Sequence, residues 1–396
     1  MVASRIASRT IRASHLGVVF VAALGATLIS DSSASATRSA RAGCSPSKSV
    51  LKSPRPGSVE VQAKALNDRG DVVGFADSKH GSGPTHAILW KHGQAARAVD
   101  LGVLPGYVAS EAYGVNNHRV VVGVLYDRKE RAFPFRWKDG RITLLKGPGG
   151  RRQQVELPDR NVINDRGEIA GTLKVGGNLR AVRWTRGGKA SFLPGLPGHT
   201  WTLAWSINRN GVVSGWSRRE PNEDGENNPV IWTRSGKAIP MVTPAGRADG
   251  AAEATNRAGV TVGYLGNLGT DDDPESDQAA IWQTRTAEPT LIGPTGPYAY
   301  AELVDVNDRG QVAGMLGTFT TSLFPAAHAV IWQPGWTGLR KLSVPAVSRA
   351  QPVVVTALTD INNRGTIVGN VYGLAGKAYD KLRRIDPVVW ACQFRR

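Results

Sequence analysis

The sequence predicts an all-β fold, a seven-bladed β-propeller, and three observations support this prediction. A hairpin motif occurs seven times, each copy is followed by a short strand that ends in Trp, and the turn Asn residues of successive copies are 44 to 55 positions apart. A repeat of this length with β-strand patterning is typical of propeller blades. The composition agrees, because 46 Gly and 23 Pro among 396 residues indicate a protein with many turns.

The hairpin is clearest in the copy from Asp305 to Trp332. Its turn is Asn307-Asp308-Arg309-Gly310, between an apolar run that ends at Val306 and another that begins at Val312. Asn and Asp side chains bond to nearby backbone, and Gly adopts a positive φ without steric cost. We therefore expect a type I turn closed by a Gly bulge. The seven turns begin at Asn67, Asn116, Asn164, Asn208, Asn256, Asn307 and Asn362.

Each repeat offers four short strands. One ends at the turn Asn, one carries a Val-x-Gly or similar run, one ends at Trp, and one follows the Trp. Seven such units predict a closed ring. An open β-solenoid is the alternative, but it would leave unpaired strand edges at both ends. We expect the strand-end Trp residues to fill the space between blades. They are Trp90, Trp137, Trp184, Trp232, Trp282, Trp332 and Trp390.

The chain ends suggest how the ring closes. Only six residues follow Trp390, so the seventh repeat lacks its fourth strand. A spare strand at Ser49–Lys52 precedes the first repeat, and we expect it to complete the seventh blade. The two cysteines, Cys44 and Cys392, bracket the repeats. In an oxidising compartment such a pair predicts a disulfide bond that locks the join.

The N-terminus predicts secretion. Arg5, Arg9 and Arg12 precede an apolar stretch from Leu16 to Ile29, and Ala34-Ser35-Ala36 fits a cleavage site. We expect an extracellular protein without a membrane-spanning segment, because no later stretch has the roughly 18 apolar residues that a spanning helix needs. The predicted divisions are a signal peptide (1–36), a lead-in with the closing strand (37–57) and the seven-repeat propeller (58–396).

The repeats resemble the probable extracellular repeats of the HAF family, named for a His-Ala-Phe tripeptide. The shared pattern is Asn-x-x-Gly-x-Val-x-Gly followed by the tripeptide and Trp, and it covers about residues 60 to 392. The tripeptide survives here only in part, as His86-Ala87-Ile88 and His328-Ala329-Val330. The resemblance implies a secreted, propeller-like β fold. It implies no activity and supplies no catalytic residues.

The charge and motifs restrict the chemistry. A formal charge of +17 favours anionic partners such as acidic glycans or cell-wall polymers, or simply keeps a secreted protein soluble. Secretion argues against intracellular nucleic acid. No nucleophile motif, phosphate-binding loop or metal-ligand spacing of His and Cys is present. We therefore predict no catalytic residues, no metal ligands and no cofactor, and we expect a monomer that is not an enzyme.

Two acidic loops and a group of aromatic residues are the candidate binding sites. One loop contains Glu223 and Asp224, and the other contains Asp271, Asp272 and Asp273. Both loops join the second and third strands of adjacent repeats, so we expect them on one rim. Oxygen ligands of this kind suit Ca²⁺, although neither loop matches an EF-hand. A solvated loop is the alternative.

The aromatic candidates lie in the fourth repeat. Trp201, Trp205 and Trp216 are additional to the strand-end Trp of that repeat. Trp205 directly precedes the apolar end of a strand, and we expect it in the core. We predict that Trp201 or Trp216 contacts a ligand, with packing between blades as the alternative.

Three functional hypotheses follow. The first is a secreted, non-catalytic recognition module for a glycan, a cell-wall polymer or a partner protein, because propellers present loops on a rigid scaffold. The second is an extracellular polysaccharide hydrolase or lyase with acids across the central channel. The third is a docking component of a secreted assembly. Inward-facing carboxyl groups with raised pKa values would favour the enzyme, and an exposed aromatic surface would favour glycan binding.

Overall fold

The computed structural model of the chain is an all-β, seven-bladed propeller. It describes residues 43–46, 51–58, 60–78, 83–156, 162–219, 226–245, 247, 249–266, 277–294, 298–317, 327–343, 353–375 and 381–393. The predicted signal peptide (1–36) and residues 37–42 and 47–50 of the lead-in therefore lie outside the described residues.

The strands follow the repeats. An N-terminal strand and the first two blades contain β1 (Gly43–Pro46), β2 (Val61–Leu66), β3 (Val72–Ala76), β4 (His86–Trp90), β5 (Ala98–Asp100), β6 (Ala109–Val115), β7 (Val121–Tyr126), β8 (Ala132–Lys138) and β9 (Arg141–Leu144). The third and fourth blades contain β10 (Val155–Glu156), β11 (Ile169–Val175), β12 (Asn178–Trp184), β13 (Ala190–Phe192), β14 (Trp201–Ile207), β15 (Val213–Arg218), β16 (Asn228–Trp232) and β17 (Ala238–Pro240). The last three blades contain β18 (Gly250–Thr255), β19 (Thr261–Leu265), β20 (Gln278–Trp282), β21 (Thr290–Ile292), β22 (Tyr300–Val306), β23 (Val312–Gly317), β24 (Ala327–Trp332), β25 (Arg340–Lys341), β26 (Val353–Ile361), β27 (Thr366–Ala375) and β28 (Lys381–Gln393).

Within blades one to six the strands pair antiparallel in chain order, from the inner strand at the channel to the outer strand. In blade seven, β26, β27 and β28 follow this order, and β1 pairs with β28 at the outer edge. The inner strand ends at the turn Asn. We call this side of the ring the turn face. The opposite side, where the inner strands begin and where the second strand connects to the third, is the loop face. The strand-end Trp residues lie at the turn face, because Trp90, for example, pairs with Val72, which follows the first turn.

The turn Asn has a structural role that its turn propensity alone does not explain. In every turn its Oδ1 accepts hydrogen bonds from the backbone N–H groups two and four residues later, as Asn256 does from Ala258 and Val260 at 3.0 Å each. Its Nδ2 donates to the backbone oxygen of the turn Asn in the next blade. This link runs through all seven blades and closes where Asn362 donates to Asn67 at 2.9 Å. The seven residues, all buried, form a continuous hydrogen-bonded ring that we call the Asn ring.

The expected turn geometry is confirmed. The turn Gly donates its N–H to the Asn oxygen three residues earlier, at 3.0 Å between Gly70 and Asn67, and Gly70 has a φ of +80°. In the second repeat Arg119 replaces this Gly and adopts a φ of +55°. Its Nε lies 2.9 Å from the buried carboxylate of Asp71 in the first blade. That ion pair offsets part of the strain of a left-handed non-Gly residue.

The Gly of the Val-x-Gly run in the second strand is required because the backbone of the inner strand lies very close to it. The inner strand has a β-bulge three residues before the turn Asn in six blades, for example between Ala204 and Ser206. The bulge brings a carbonyl oxygen of the inner strand towards the paired Gly. A Cβ on Gly215 would lie 1.9 Å from the oxygen of Leu203. Only Gly fits opposite this bulge.

The Trp residues pack between blades, as predicted. Trp184 of the third blade clusters with Val122 and Tyr113 of the second. Its Nε1 donates to the oxygen of Lys146, 38 positions earlier, in the linker that leaves the second blade. Trp90 of the first blade donates to the oxygen of Lys52 across the same spacing. Lys52 therefore occupies the linker position that follows an outer strand.

The N-terminal strand is not where the sequence suggested. Leu51 and Lys52 are not in a strand, and β1, at Gly43–Pro46, is the strand that pairs with β28. The prediction that Ser49–Lys52 forms it was wrong because Leu51 is the start of the linker, buried against the first blade. The register places Cys44 opposite Cys392. The disulfide bond between them remains a prediction.

Candidate functional site around the central channel

The inner strands surround a central channel that opens into a cavity at the turn face. The cavity has a volume of about 150 Å³ and is lined by residues at the turns of all seven blades. Its mouth is crossed by Arg209 of the fourth blade. The Arg209 Nη2 lies 2.9 Å from Asp165 of the third blade and 3.4 Å from Asp68 of the first. This bridge spans the channel at the turn face.

Two carboxyl groups line the cavity and connect three blades. Asp360 Oδ2 accepts a hydrogen bond from the Leu66 N–H at 2.8 Å, and Asp305 Oδ2 accepts one from the Ile361 N–H at 3.0 Å. Burial and the neighbouring Asp305 raise the pKa of Asp360 well above its usual range. The low-dielectric surroundings and the adjacent carboxylate thus favour the protonated form of Asp360. Its role is to join the inner strands of blades six, seven and one.

A second polar group lies between the first two blades, towards the loop face. We call it the Glu60 cluster; it consists of Glu60, Gln62, Lys64, Glu111 and Tyr113. Glu111 Oε2 accepts a hydrogen bond from the Tyr113 hydroxyl at 2.5 Å. The Lys64 Nζ lies 5.7 Å from the centroid of the Tyr113 ring. Gln62 Nε2 donates to Glu60 Oε1 at 2.9 Å.

The two carboxyl groups of this cluster differ in environment. Glu111 is only 2% exposed and also accepts the Tyr126 hydroxyl at 3.2 Å. Glu60 is half-buried. Burial, followed by the nearby Glu111 charge, raises the pKa of Glu60 to about 7. One carboxyl group that holds a proton near neutral pH thus lies close to another that is stabilised by two tyrosines.

The third group lies on the loop face of the fourth blade. Trp201 pairs with Arg218 across the inner two strands, and Asn228 pairs with Ser217, so Asn227 lies beside Arg218. These three residues, Trp201, Arg218 and Asn227, form a row that we call the blade-4 edge. The Arg218 guanidinium lies 4.8 Å from the Trp201 ring centroid. Among the described residues, the buried Trp201 Nε1 and Asn227 Oδ1 have no hydrogen-bond partner.

Acidic residues of the fifth blade adjoin this edge. Asp249 Oδ1 accepts the Asn227 N–H at 2.8 Å. Burial raises the pKa of Tyr264 well above its usual range, and Asp249 and Glu253 add to the shift. Glu253 is only 1% exposed. The blade-4 edge therefore combines an aromatic ring, a cation and two buried polar atoms without partners among the described residues, and the Asp249 carboxylate adjoins it.

The residues predicted from the sequence fall into three groups. Trp201 is half-buried at the loop face. Trp216 is 7% exposed and packs with Leu203, Ala251 and Tyr264. The predicted loop residues Glu223, Asp224, Asp271, Asp272 and Asp273 lie outside the described residues, although the strands that flank them meet at the loop face.

Sequence reasoning missed the Glu60 cluster and Glu253. The sequence does contain a pattern that points to these residues. The positions seven, five and three residues before the turn Asn hold large polar or aromatic residues in several repeats, whereas neighbouring positions are small and apolar. Lys64, Tyr113, Trp205 and Glu253 all occupy the third position, which is the bulge. Alignment of the repeats on the turn Asn would have shown this set.

Neither a metal-binding cluster nor a membrane-spanning helix is present in the described part of the chain. No set of three or more His, Cys, Asp or Glu residues has a metal-binding arrangement. In the same residues, no helix has the length and apolar character to span a membrane. The candidate Ca²⁺ ligands of the acidic loops lie outside the described residues.

Comparisons with known proteins identify the fold and no family. No family model matches the chain, and no curated protein matches it. Among solved structures, an oligogalacturonate lyase from Vibrio parahaemolyticus has a TM-score of 0.54 at 10% identity, over 86% of this chain and 92% of that one. The β-propeller domain of the Trilobed protease from Pyrococcus furiosus has a TM-score of 0.50 at 9% identity, over 85% and 94%. A puromycin-hydrolyzing peptidase from Mycobacterium tuberculosis has a TM-score of 0.50 at 14% identity, over 85% and 54%. At these identities the chain is similar to the three proteins in fold alone.

Proposed function

We propose that this protein is a secreted recognition module that binds a glycan at the blade-4 edge. The observation that carries this proposal is the pair of buried polar atoms, Trp201 Nε1 and Asn227 Oδ1, beside a stacked Trp and Arg. One atom is a donor and the other an acceptor. Sugar hydroxyl groups can both donate and accept hydrogen bonds, and a buried polar atom without a partner costs free energy.

The chemistry around the edge suits a sugar. The face of an indole ring packs against the apolar face of a sugar, and amphipathic aromatic residues are frequent at binding sites. Asp249 and Arg218 add a carboxylate and a guanidinium that can bond to hydroxyl groups. Because Trp216 is buried, Trp201 is the residue we expect to contact the ligand, with Trp216 supporting it from below.

Binding to a panel of polysaccharides and cell-wall fragments, at low and high salt, tests this proposal. We expect saturable binding that persists at high salt, since it depends on contacts rather than on screened charge. Trp201→Ala and Asn227→Ala should each weaken it roughly tenfold or more. Trp336→Ala is the matched control, because Trp336 also stacks with an arginine, 3.8 Å from Arg340 on the sixth blade. Equal losses in all three variants would contradict the proposal.

A second candidate function is hydrolysis or lysis of a polysaccharide at the Glu60 cluster. The observation that favours it is the pairing of a half-buried Glu60, whose pKa is raised to about 7, with the tyrosine-bound carboxylate of Glu111. Carboxyl groups in two such environments are typical of acid–base catalysis. Release of new chain ends from the same panel is the measurement. Glu60→Gln should abolish release and retain binding, whereas binding without release by the unmodified protein would exclude this candidate.

We also infer how the ring is secured. β1 acts as the outer strand of the seventh blade, and a Cys44–Cys392 disulfide bond would hold it there. The register between these two residues supports the bond. The repeats are those expected for a HAF-like protein, and this assignment rests on their motif.

A further inference from the structure

The turn face carries a concentration of arginine that the proposed glycan site does not use. The seven four-residue turns contain seven arginines and three aspartates. Six of these arginines are exposed, one on every blade except the second, where the exposed turn residue is His118. They are Arg69, Arg166, Arg209, Arg257, Arg309 and Arg364.

The aspartates of the turns are already engaged. Asp68 and Asp165 bind Arg209 across the channel mouth. Asp308 Oδ1 accepts the backbone N–H of Arg257 at 2.9 Å. Within the described residues, the guanidinium groups of five turn arginines have no salt-bridge partner. These are Arg69, Arg166, Arg257, Arg309 and Arg364.

A second belt of basic residues surrounds the first. The hairpins between the third and fourth strands also reach the turn face, as the Lys138 Nζ shows by donating to the His118 oxygen at 2.6 Å. Exposed basic residues of these hairpins are Arg186, Lys189, Arg234, Lys237 and Arg285. One of them, Arg234, lies 3.6 Å from Glu168. Both belts have a strong excess of positive charge.

The Asn ring makes this surface rigid. Each exposed arginine lies one or two residues after a ring Asn, whose side chain fixes the turn backbone on both sides. The arginines are thus held at repeated intervals around a circle, and little backbone entropy is lost when they bind a ligand. A flat, repeated array of this kind suits a chain with repeated anionic groups.

We propose that the turn face binds an acidic polysaccharide through its exposed turn arginines. The guanidinium group matches the geometry of carboxylate and sulfate with two parallel hydrogen bonds. The seven turns contain no Phe, Tyr or Trp, so they offer no surface on which unpaired bases could stack. The surface therefore fits a polymer recognised by its charged groups. It lies opposite the blade-4 edge and does not depend on that site.

Binding to heparin, polygalacturonate and a short DNA duplex across a series of salt concentrations tests this inference. The variant is Arg69→Gln/Arg309→Gln/Arg364→Gln, which removes three neighbouring, unpaired arginines from blades one, six and seven. The matched control is Arg128→Gln/Lys129→Gln/Arg151→Gln, three exposed basic residues near the loop face. Circular dichroism and thermal unfolding establish that both remain folded.

We expect the unmodified protein to bind at least one polysaccharide, with an affinity that falls as salt rises. The turn-face variant should lose roughly tenfold in affinity and show a shallower salt dependence. The control should retain most of the affinity, and so should Trp201→Ala. Equal losses in the variant and control, or no binding at low salt, would overturn the proposal. Tighter binding to DNA than to both polysaccharides would also overturn it.

Discussion

At the scale of single residues, the turn Asn is the most constrained position in the chain. Its backbone oxygen and its Oδ1 accept hydrogen bonds, and its Nδ2 donates a hydrogen bond to the next blade. The side chain is almost wholly buried, so no water replaces a lost bond. Asp and Ser also favour such turns, but neither supplies both the acceptor and the N–H donor. Local turn chemistry and ring assembly thus select the same residue.

Replacement of one ring residue should therefore be costly. Asn256→Ala removes the Nδ2 bond to the Asn307 oxygen at 3.0 Å and leaves the N–H groups of Ala258 and Val260 without their acceptor. We expect the free energy of unfolding to fall by about 2–4 kcal/mol. Denaturant unfolding measures this. Asn210→Ala removes one exposed bond, from Nδ2 to the Arg257 oxygen at 3.1 Å, and leaves no buried group without a partner, so it should cost less than about 0.5 kcal/mol.

Glu60 gives a prediction for pH dependence. Its pKa is raised from 4.5 to about 7 by burial and by Glu111. Between these values the folded protein holds a proton that the unfolded chain has released, so the stability falls as pH rises through this interval. Because Glu60 is half-exposed, we expect a loss of about 1–3 kcal/mol.

Glu60→Gln should remove this dependence. The difference in unfolding free energy between variant and unmodified protein should grow in favour of the variant from pH 4.5 to 7. Glu288→Gln, which removes an exposed carboxyl group, is the control and should keep a constant difference. A constant difference for Glu60→Gln as well would show that burial does not raise this pKa.

At the scale of the strand pair, the bulge explains two features of the repeat together. In a regular strand, side chains alternate between the two faces of the sheet. The bulge interrupts this alternation at one residue of the inner strand, such as Trp205 or Glu253. It also brings the preceding carbonyl against the second strand, where only Gly fits. The variable bulge residue and the repeated Gly are therefore two consequences of one local geometry.

Gly215→Ala tests this account. The new Cβ would lie 1.9 Å from the Leu203 oxygen, so the strands must separate. We expect a loss of more than about 2 kcal/mol in unfolding free energy. Gly187→Ala is the control, since its Cβ would approach no atom closer than 3.9 Å. Similar stability of the two variants would mean that the bulge relaxes at little cost.

At the scale of the whole molecule, the ring is closed by contacts between residues far apart in sequence. The Asn370 Nδ2 donates to the Ala63 oxygen at 2.9 Å, and its Oδ1 accepts the Ala63 N–H at 2.8 Å. Both groups are buried between the last blade and the first. Together with the Asn362–Asn67 bond, they close the inner wall, while β1 pairs along the outer edge. The ring is therefore closed both at its inner wall and at its outer edge.

The proposed disulfide bond would add to the outer closure. It would restrict a loop of nearly the whole chain in the unfolded state, and we expect reduction to lower the unfolding free energy by about 2–5 kcal/mol. Peptide mapping without reductant should show Cys44 joined to Cys392. Cys392→Ser should reproduce the loss and become insensitive to reductant. Two free thiols in the protein purified without reductant would refute the bond.

The sequence by itself determined the blade count, the turn geometry and the position of each inter-blade Trp. These features depend on residues within a few positions of one another, so they can be recognised in the sequence without knowledge of the fold. The closing strand was predicted several residues too late, at Ser49–Lys52, because a short run with an apolar centre such as Val50-Leu51 resembles a strand.

Only the tertiary structure decided which polar residues meet. Glu60 and Glu111, or Asp305 and Asp360, lie about fifty residues apart and come together because adjacent inner strands lie side by side. The Asn ring and the circle of arginines could not be predicted for the same reason. In the sequence each member is an ordinary turn residue, and only the fold brings the seven turns together on one face.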